Sequence, residues 1–95
     1  MKVKVRSVGL VKQLLGQGEL ELVVPEGTAV SGLLRVLADE KSEKMAPFAV
    51  EPKAPSAHAP LRVMINGRDI QALEGRHTVL EEGDDVLIFV PIAGG

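Results

Sequence analysis

The chain of 95 residues contains no cysteine. That absence removes disulfides, thiolate metal sites and any nucleophilic thiol of its own. Tryptophan and tyrosine are missing too, leaving Phe48 and Phe89 as an aromatic content of 2%. A nucleic-acid platform of stacked aromatic rings is thereby excluded. The net charge of −2 supplies no cation excess for a phosphate backbone. No apolar run approaches the ~18 residues of a membrane span. The N-terminal MKVKVRSVGLVKQLLG interleaves charge with valine and offers no apolar signal core. The expectation is a cytoplasmic protein.

What remains is globular: 45% hydrophobic and 25% charged residues. A chain this short buries roughly 60 to 68% of the surface its unfolded form exposes. It makes one domain over residues 1–95, with one small core and no deep internal active site. Of the ten glycines, Gly94 and Gly95 stand last in the chain.

The pattern along the chain begins with a strand. Lys2, Lys4 and Arg6 alternate with Val3, Val5 and Ser7, giving one wet and one dry face. A turn containing Gly16 and Gly18 leads to a second alternation, Glu19 to Val24. Paired as an antiparallel hairpin, basic and acidic wet faces oppose one another, at roughly 0.2 to 1 kcal/mol per pair. Pro25, Glu26 and Gly27 end this strand, and Thr28 is the expected N-cap of a helix. Val30, Leu33, Leu34 and Leu37 then form an apolar stripe at i, i+3, i+4 and i+7. Gly32 inside the helix either permits close approach to the sheet or is simply tolerated.

Residues 45–60 hold four of the six prolines and read as a surface loop inserted into the domain. Strand character returns at Leu61, Val63 and Ile65, followed by the hairpin signal Asn66-Gly67. Residues 75–80 suit a short strand or a turn. Val86 to Val90 is an apolar run suited to a central strand. One main helix must therefore cover a mixed four- to five-stranded sheet in a two-layer α+β domain. A β-grasp arrangement fits this order and length.

Two features point to function. If Val86, Ile88 and Val90 face the helix, Leu87 and Phe89 face away, with Met64 and Val23 on the same side. An exposed apolar patch of this kind marks a partner surface unless the loop of residues 45–60 folds over it. The second feature is the tail, Val90-Pro91-Ile92-Ala93-Gly94-Gly95. Gly-Gly lacks side chains and has wide backbone freedom. It can thread a narrow channel and deliver the terminal carboxylate to a reactive centre in another protein. Terminal residues also fray commonly, so the motif gains weight only from the strand that precedes it.

These residues carry a resemblance. The segments Arg62-Val63-Met64-Ile65-Asn66-Gly67, Leu80-Glu81-Glu82-Gly83-Asp84-Asp85-Val86 and Phe89-Val90-Pro91-Ile92-Ala93-Gly94-Gly95 resemble the MoaD/ThiS sulfur carriers, ubiquitin-like proteins ending in Gly-Gly. The terminal motif looks most like the small subunit of molybdopterin synthase. That branch often shows two consecutive prolines, where this chain has Val90 before Pro91.

The resemblance implies a carrier, not a catalyst. A ubiquitin-activating-type adenylyltransferase would consume ATP to adenylate Gly95, and a persulfide donor would convert it to a thiocarboxylate. An acceptor such as the molybdopterin synthase large subunit would receive the sulfur. Gly94 would accompany Gly95 in the channel. Phe89, Leu87, Met64, Pro91, Ile92 and Ala93 would contact the partner. No bound cofactor and no metal are implied. Carriers serving thiamine, cysteine or tRNA thiolation share the pattern, as do ubiquitin-like modifiers that conjugate to lysine. A plain interaction domain using the apolar face is the remaining alternative. His58 and His77 read as surface residues, and Glu81, Glu82, Asp84 and Asp85 as a solvated turn without calcium-loop spacing.

Overall fold

The computed structural model of the protein describes residues 1–49 and 61–91. Five strands form one mixed sheet: β1 (Lys2–Ser7), β2 (Glu19–Val23), β3 (Arg62–Ile65), β4 (Arg68–Asp69) and β5 (Asp85–Phe89). Their spatial order is β2-β1-β5-β3-β4. β1 and β5 run parallel, while the β1–β2, β3–β5 and β3–β4 pairs are antiparallel. β2 and β3, which flank the main helix in sequence, thus share a direction but are separated by β1 and β5.

The main helix, α2 (Val30–Val36), continues through a wider turn at Leu37–Lys41. Its stripe behaves as the spacing requires, with Val30, Leu33, Leu34 and Leu37 all 0% exposed. They pack into one core with Val3, Val5, Val63, Ile65, Val86 and Ile88 from the inner face of the sheet. Each such leucine contributes roughly 1.5 to 3 kcal/mol by leaving water.

Several expectations change. The connection between β1 and β2 is more than a turn: α1 (Gly9–Leu15) lies within it. Val11 and Leu15 are buried, and Gly16 closes the helix in the left-handed region at φ 81°. A helix of this length is not stable alone and depends on packing, here against β5 and the Glu43–Met45 turn. The β1–β2 pairing nevertheless forms, with Lys4 opposite Glu21 and Arg6 opposite Glu19.

At α2 the N-cap is Ala29, with no side-chain cap; the Thr28 hydroxyl instead donates to the Pro25 carbonyl at 2.6 Å. Gly32 makes room for that threonine, since a Cβ there would meet Thr28 Cγ2 at 3.1 Å. The sheet is not its constraint.

The segment expected to open the loop is helical from Glu43–Met45 into α3 (Ala46–Ala49), and Met45 is 1% exposed. Phe48 also packs against the core. Residues 50–60, the rest of the expected insertion, lie outside the described residues. Within residues 75–80, a helical turn at Gly75–His77 is followed by a single bridge between Val79 and Ala29.

The acidic segment before β5 is a structural knot. Asp84 is 9% exposed, accepting from Asn66 Nδ2 at 2.9 Å and from the Glu81 amide at 2.8 Å. Asn66 Oδ1 accepts from the Asp85 amide at 3.0 Å, and the Asn66 amide donates to the Asp85 carbonyl at 2.8 Å. Asn66 (φ 52°) and Gly67 (φ 84°) make the tight turn that β3 and β4 need. Replacing Asn66 by Gly keeps that backbone conformation and deletes only the side-chain bonds. Asn66→Gly is expected to lower unfolding free energy by about 1 to 2 kcal/mol in urea titration. Asn66→Ala should cost more, because it adds positive-φ strain.

Candidate functional site

β5 is hydrogen-bonded on both edges, so its alternation assigns side chains firmly to two faces. Val86 and Ile88 are 0% exposed beneath α2, while Leu87 and Phe89 are half-buried on the opposite, outer face. Met64 stands directly across from Leu87, and Arg62 across from Phe89. Three of the residues expected to bind a partner, Met64, Leu87 and Phe89, therefore form one apolar strip along β3 and β5. Val23 shares the face but not the strip. It is 77% exposed on β2, opposite Lys2, with the Lys4 and Arg6 side of β1 intervening.

The strip ends where the chain leaves the sheet. Val90 still packs against the core, and Pro91 is half-buried beyond it. Ile92, Ala93, Gly94 and Gly95 lie outside the described residues. What the fold defines is the root of the tail and its neighbourhood. Because β1 and β5 are parallel with Ser7 level with Ile88, the residues after β1 reach the same end of the sheet. Val8 is 53% and Leu10 47% exposed there. Sequence reading overlooked this pair because it placed a turn where α1 lies. The signal was available: Val11, Leu14 and Leu15 at helical spacing, closed by Gly16.

Two ion pairs border the strip and were also overlooked. Arg6 Nε donates to Asp85 Oδ1 at 2.8 Å across the parallel pair. Arg62 donates to Asp69 Oδ2 from Nε at 3.0 Å and from Nη2. The Arg62–Asp69 contact follows from the Asn66-Gly67 hairpin, since Asp69 pairs with Met64 and so lies diagonally from Arg62 on one face. The amide of Gln71 holds the Asp69 carboxyl below the usual carboxylate range, and the Arg62 side-chain hydrogen bonds add to this.

Glu82 accepts from the Lys2 amide, so the acidic turn is used for folding. His77 is exposed, and His58 lies outside the described residues. Among the described residues no group of three or more metal-binding side chains converges. No helix among them is long and apolar enough to cross a membrane.

Comparison with known proteins places this geometry. Residues 5–95 match the ThiS family, and the chain belongs to it. It is a β-grasp, ubiquitin-like domain of the sulfur-carrier and modifier class. The small archaeal modifier protein 3 of Haloferax volcanii is 30% identical over the whole length of both chains. The solution structure of the Haloferax volcanii HVO 2177 protein is 30% identical with a TM-score of 0.81, covering all of this chain and 87% of that one. A Pyrococcus furiosus protein provisionally named molybdopterin converting factor, subunit 1, is 29% identical with a TM-score of 0.77. That match covers 97% of this chain and 99% of the other.

The two faces of β5 predict opposite responses to charge. Phe89→Glu should leave the thermal unfolding transition within a few degrees of the parent, because its carboxylate stays in water. Ile88→Glu, at 0% exposure, should abolish cooperative unfolding by circular dichroism. The lowered pKa of Asp69 gives a further check. Its depressed folded-state value contributes stability that is present above the unfolded carboxylate pKa and lost as pH falls through the folded one. The stability difference between the parent and Asp69→Asn, followed by denaturant titration, should be present at pH 7 and shrink on acidification below the ordinary Asp range near 3.8.

Proposed function

We propose that this ThiS-family chain is a sulfur carrier whose Gly95 carboxylate becomes a thiocarboxylate. One observation carries the reading. A rigid central strand, flanked by an apolar strip, runs through Pro91 into a Gly-Gly terminus. A chain without cysteine has no thiol on which to carry sulfur, which leaves the main-chain carboxylate as the group that can be activated.

The chemistry follows in balanced steps. A carboxylate oxygen of Gly95 attacks the α-phosphorus of ATP on a ubiquitin-activating-type adenylyltransferase, and pyrophosphate leaves. The terminal sulfur of a persulfide displaces AMP from the acyl-adenylate, giving an acyl disulfide. A second thiol of the donor reduces it, leaving the thiocarboxylate here and a disulfide there. Gly94 and Gly95 suit a narrow channel, because neither carries a Cβ to collide with its wall. Met64, Leu87, Phe89 and Pro91 supply the docking surface, extended at the tail root by Val8 and Leu10. Ile92 and Ala93 complete the contacting tail.

For the acceptor, the terminal motif favours the large subunit of molybdopterin synthase, with this chain as the small subunit in molybdenum or tungsten cofactor synthesis. The full-length likeness to an archaeal modifier protein supports a second use of the same activated carboxylate, isopeptide formation on a lysine of another protein. Transfer of the sulfur to thiamine, cysteine or tRNA thiolation uses the same carrier chemistry. A cytoplasmic setting suits all of these.

Intact mass of the protein purified from its own host separates the uses. A carrier shows a mass gain equal to exchange of one carboxyl oxygen for sulfur, and the gain disappears when Gly95 is deleted. A modifier leaves Gly-Gly remnants on lysines of other proteins. If the deletion changes no cofactor level, no thiolated product and no conjugate, the carboxylate has no such role.

A further inference from the structure

The ion pairs beside the apolar strip differ from ordinary surface pairs in what they leave exposed. In the pair across β1 and β5, Arg6 is 46% exposed and Asp85 36%. In the pair across β3 and β4, Arg62 is 39% exposed and Asp69 23%. Each arginine side chain is more exposed than the aspartate side chain that holds it. Both Asp69 oxygens are engaged: one accepts both Arg62 nitrogens and the other accepts the Gln71 amide at 2.8 Å. At the Arg62–Asp69 pair the hydrogen-bonding capacity left facing out is mainly donor capacity, whereas at the Arg6–Asp85 pair Asp85 Oδ2 remains an acceptor, which makes Arg6 the weaker of the two. Nη1 of Arg62 has no hydrogen-bond partner among the described residues, nor has either terminal nitrogen of Arg6.

Position adds to chemistry. Arg62 stands level with Phe89, beside the root of the tail, and Arg6 stands level with Leu87 on the other side of the strip. Two guanidiniums therefore bracket one apolar strip. Glu19 faces Arg6 from β2 and offsets part of its charge, whereas the residue across from Arg62 on β5 is uncharged Phe89. Exposed pairs of this kind add little to folding stability. An arginine already held in place loses less freedom on docking than a free one, and its planar fork fits a carboxylate as an ammonium does not.

We propose that Arg62, with Arg6 as its weaker counterpart, recognises carboxylates on the rim of the partner's apolar docking surface. The partner that this face fits is apolar at the centre and acidic at the edge. In the sulfur-carrier reading, on which the inference rests, that partner is the adenylating enzyme. The arginines are then specificity-determining and positioning residues: they fix the register of the strip so that the tail enters the channel, and they do not touch the reacting atoms.

ATP–pyrophosphate exchange tests this, using the purified chain with the adenylating enzyme of its own host. Arg62→Ala should raise the KM for the chain on the order of tenfold with kcat unchanged. It should also make the dependence of log KM on log salt shallower. Arg62→Lys should restore only part of the loss. Asp69→Asn, which keeps the Arg62 charge but removes the carboxylate that holds its side chain, should raise KM less than Arg62→Ala. Thermal unfolding of each variant separates docking from folding, and the lysine variant covers the case in which alanine does not fold. Equal KM and equal salt slopes in parent and Arg62→Ala would overturn the inference alone. A fall in kcat at unchanged KM would do the same. If the parent chain supports no exchange at all, the sulfur-carrier reading falls and this inference with it.

Discussion

The central position of β5 is the constraint on which the rest of the sheet depends. Its backbone is bonded to β1 on one side and β3 on the other, so it can neither slide nor fray without breaking two ladders. A one-residue slip would send Val86 and Ile88 to water and Leu87 and Phe89 under the helix. The Asn66–Asp84–Glu81 hydrogen bonds fix where β5 starts. The register that settles the core therefore also settles where the chain leaves the sheet at Val90 and Pro91.

The two faces of the sheet are put to different uses. The inner face is aliphatic apart from Ser7 and is covered by α2. The outer face is divided: charged across β1 and β2, apolar along Met64, Leu87 and Phe89. The apolar strip is narrow and is bordered by arginine–carboxylate pairs.

Much of this was legible in the residues. The alternation of β1, β2 and β5, the stripe of α2 and the Asn66-Gly67 turn each report a local period or a local backbone requirement. Local rules are enough to read them. The opposition of Leu87 and Phe89 to Ile88 follows from the same period. The elements that were misread depend on distant partners. α1 is too short to be stable alone, and its apolar residues gain burial only because β5 and the Glu43–Met45 turn are nearby. Met45 and α3 were obscured by the prolines that follow. Thr28 has the chemistry of an N-cap, yet its hydroxyl finds the Pro25 carbonyl first.

By itself the sequence determined which segments could be strands and helix, which way each strand presents its apolar side, and that no cysteine thiol is available for chemistry. Those properties are set by side-chain chemistry and by periods of two and 3.6 residues. Only the tertiary structure decided that Val8 and Leu10 stand beside the tail root, that Val23 does not join the strip, and that Arg6 and Arg62 bracket it. Those relations arise from strand order and register across most of the chain, where burying one shared core fixes all the pairings together.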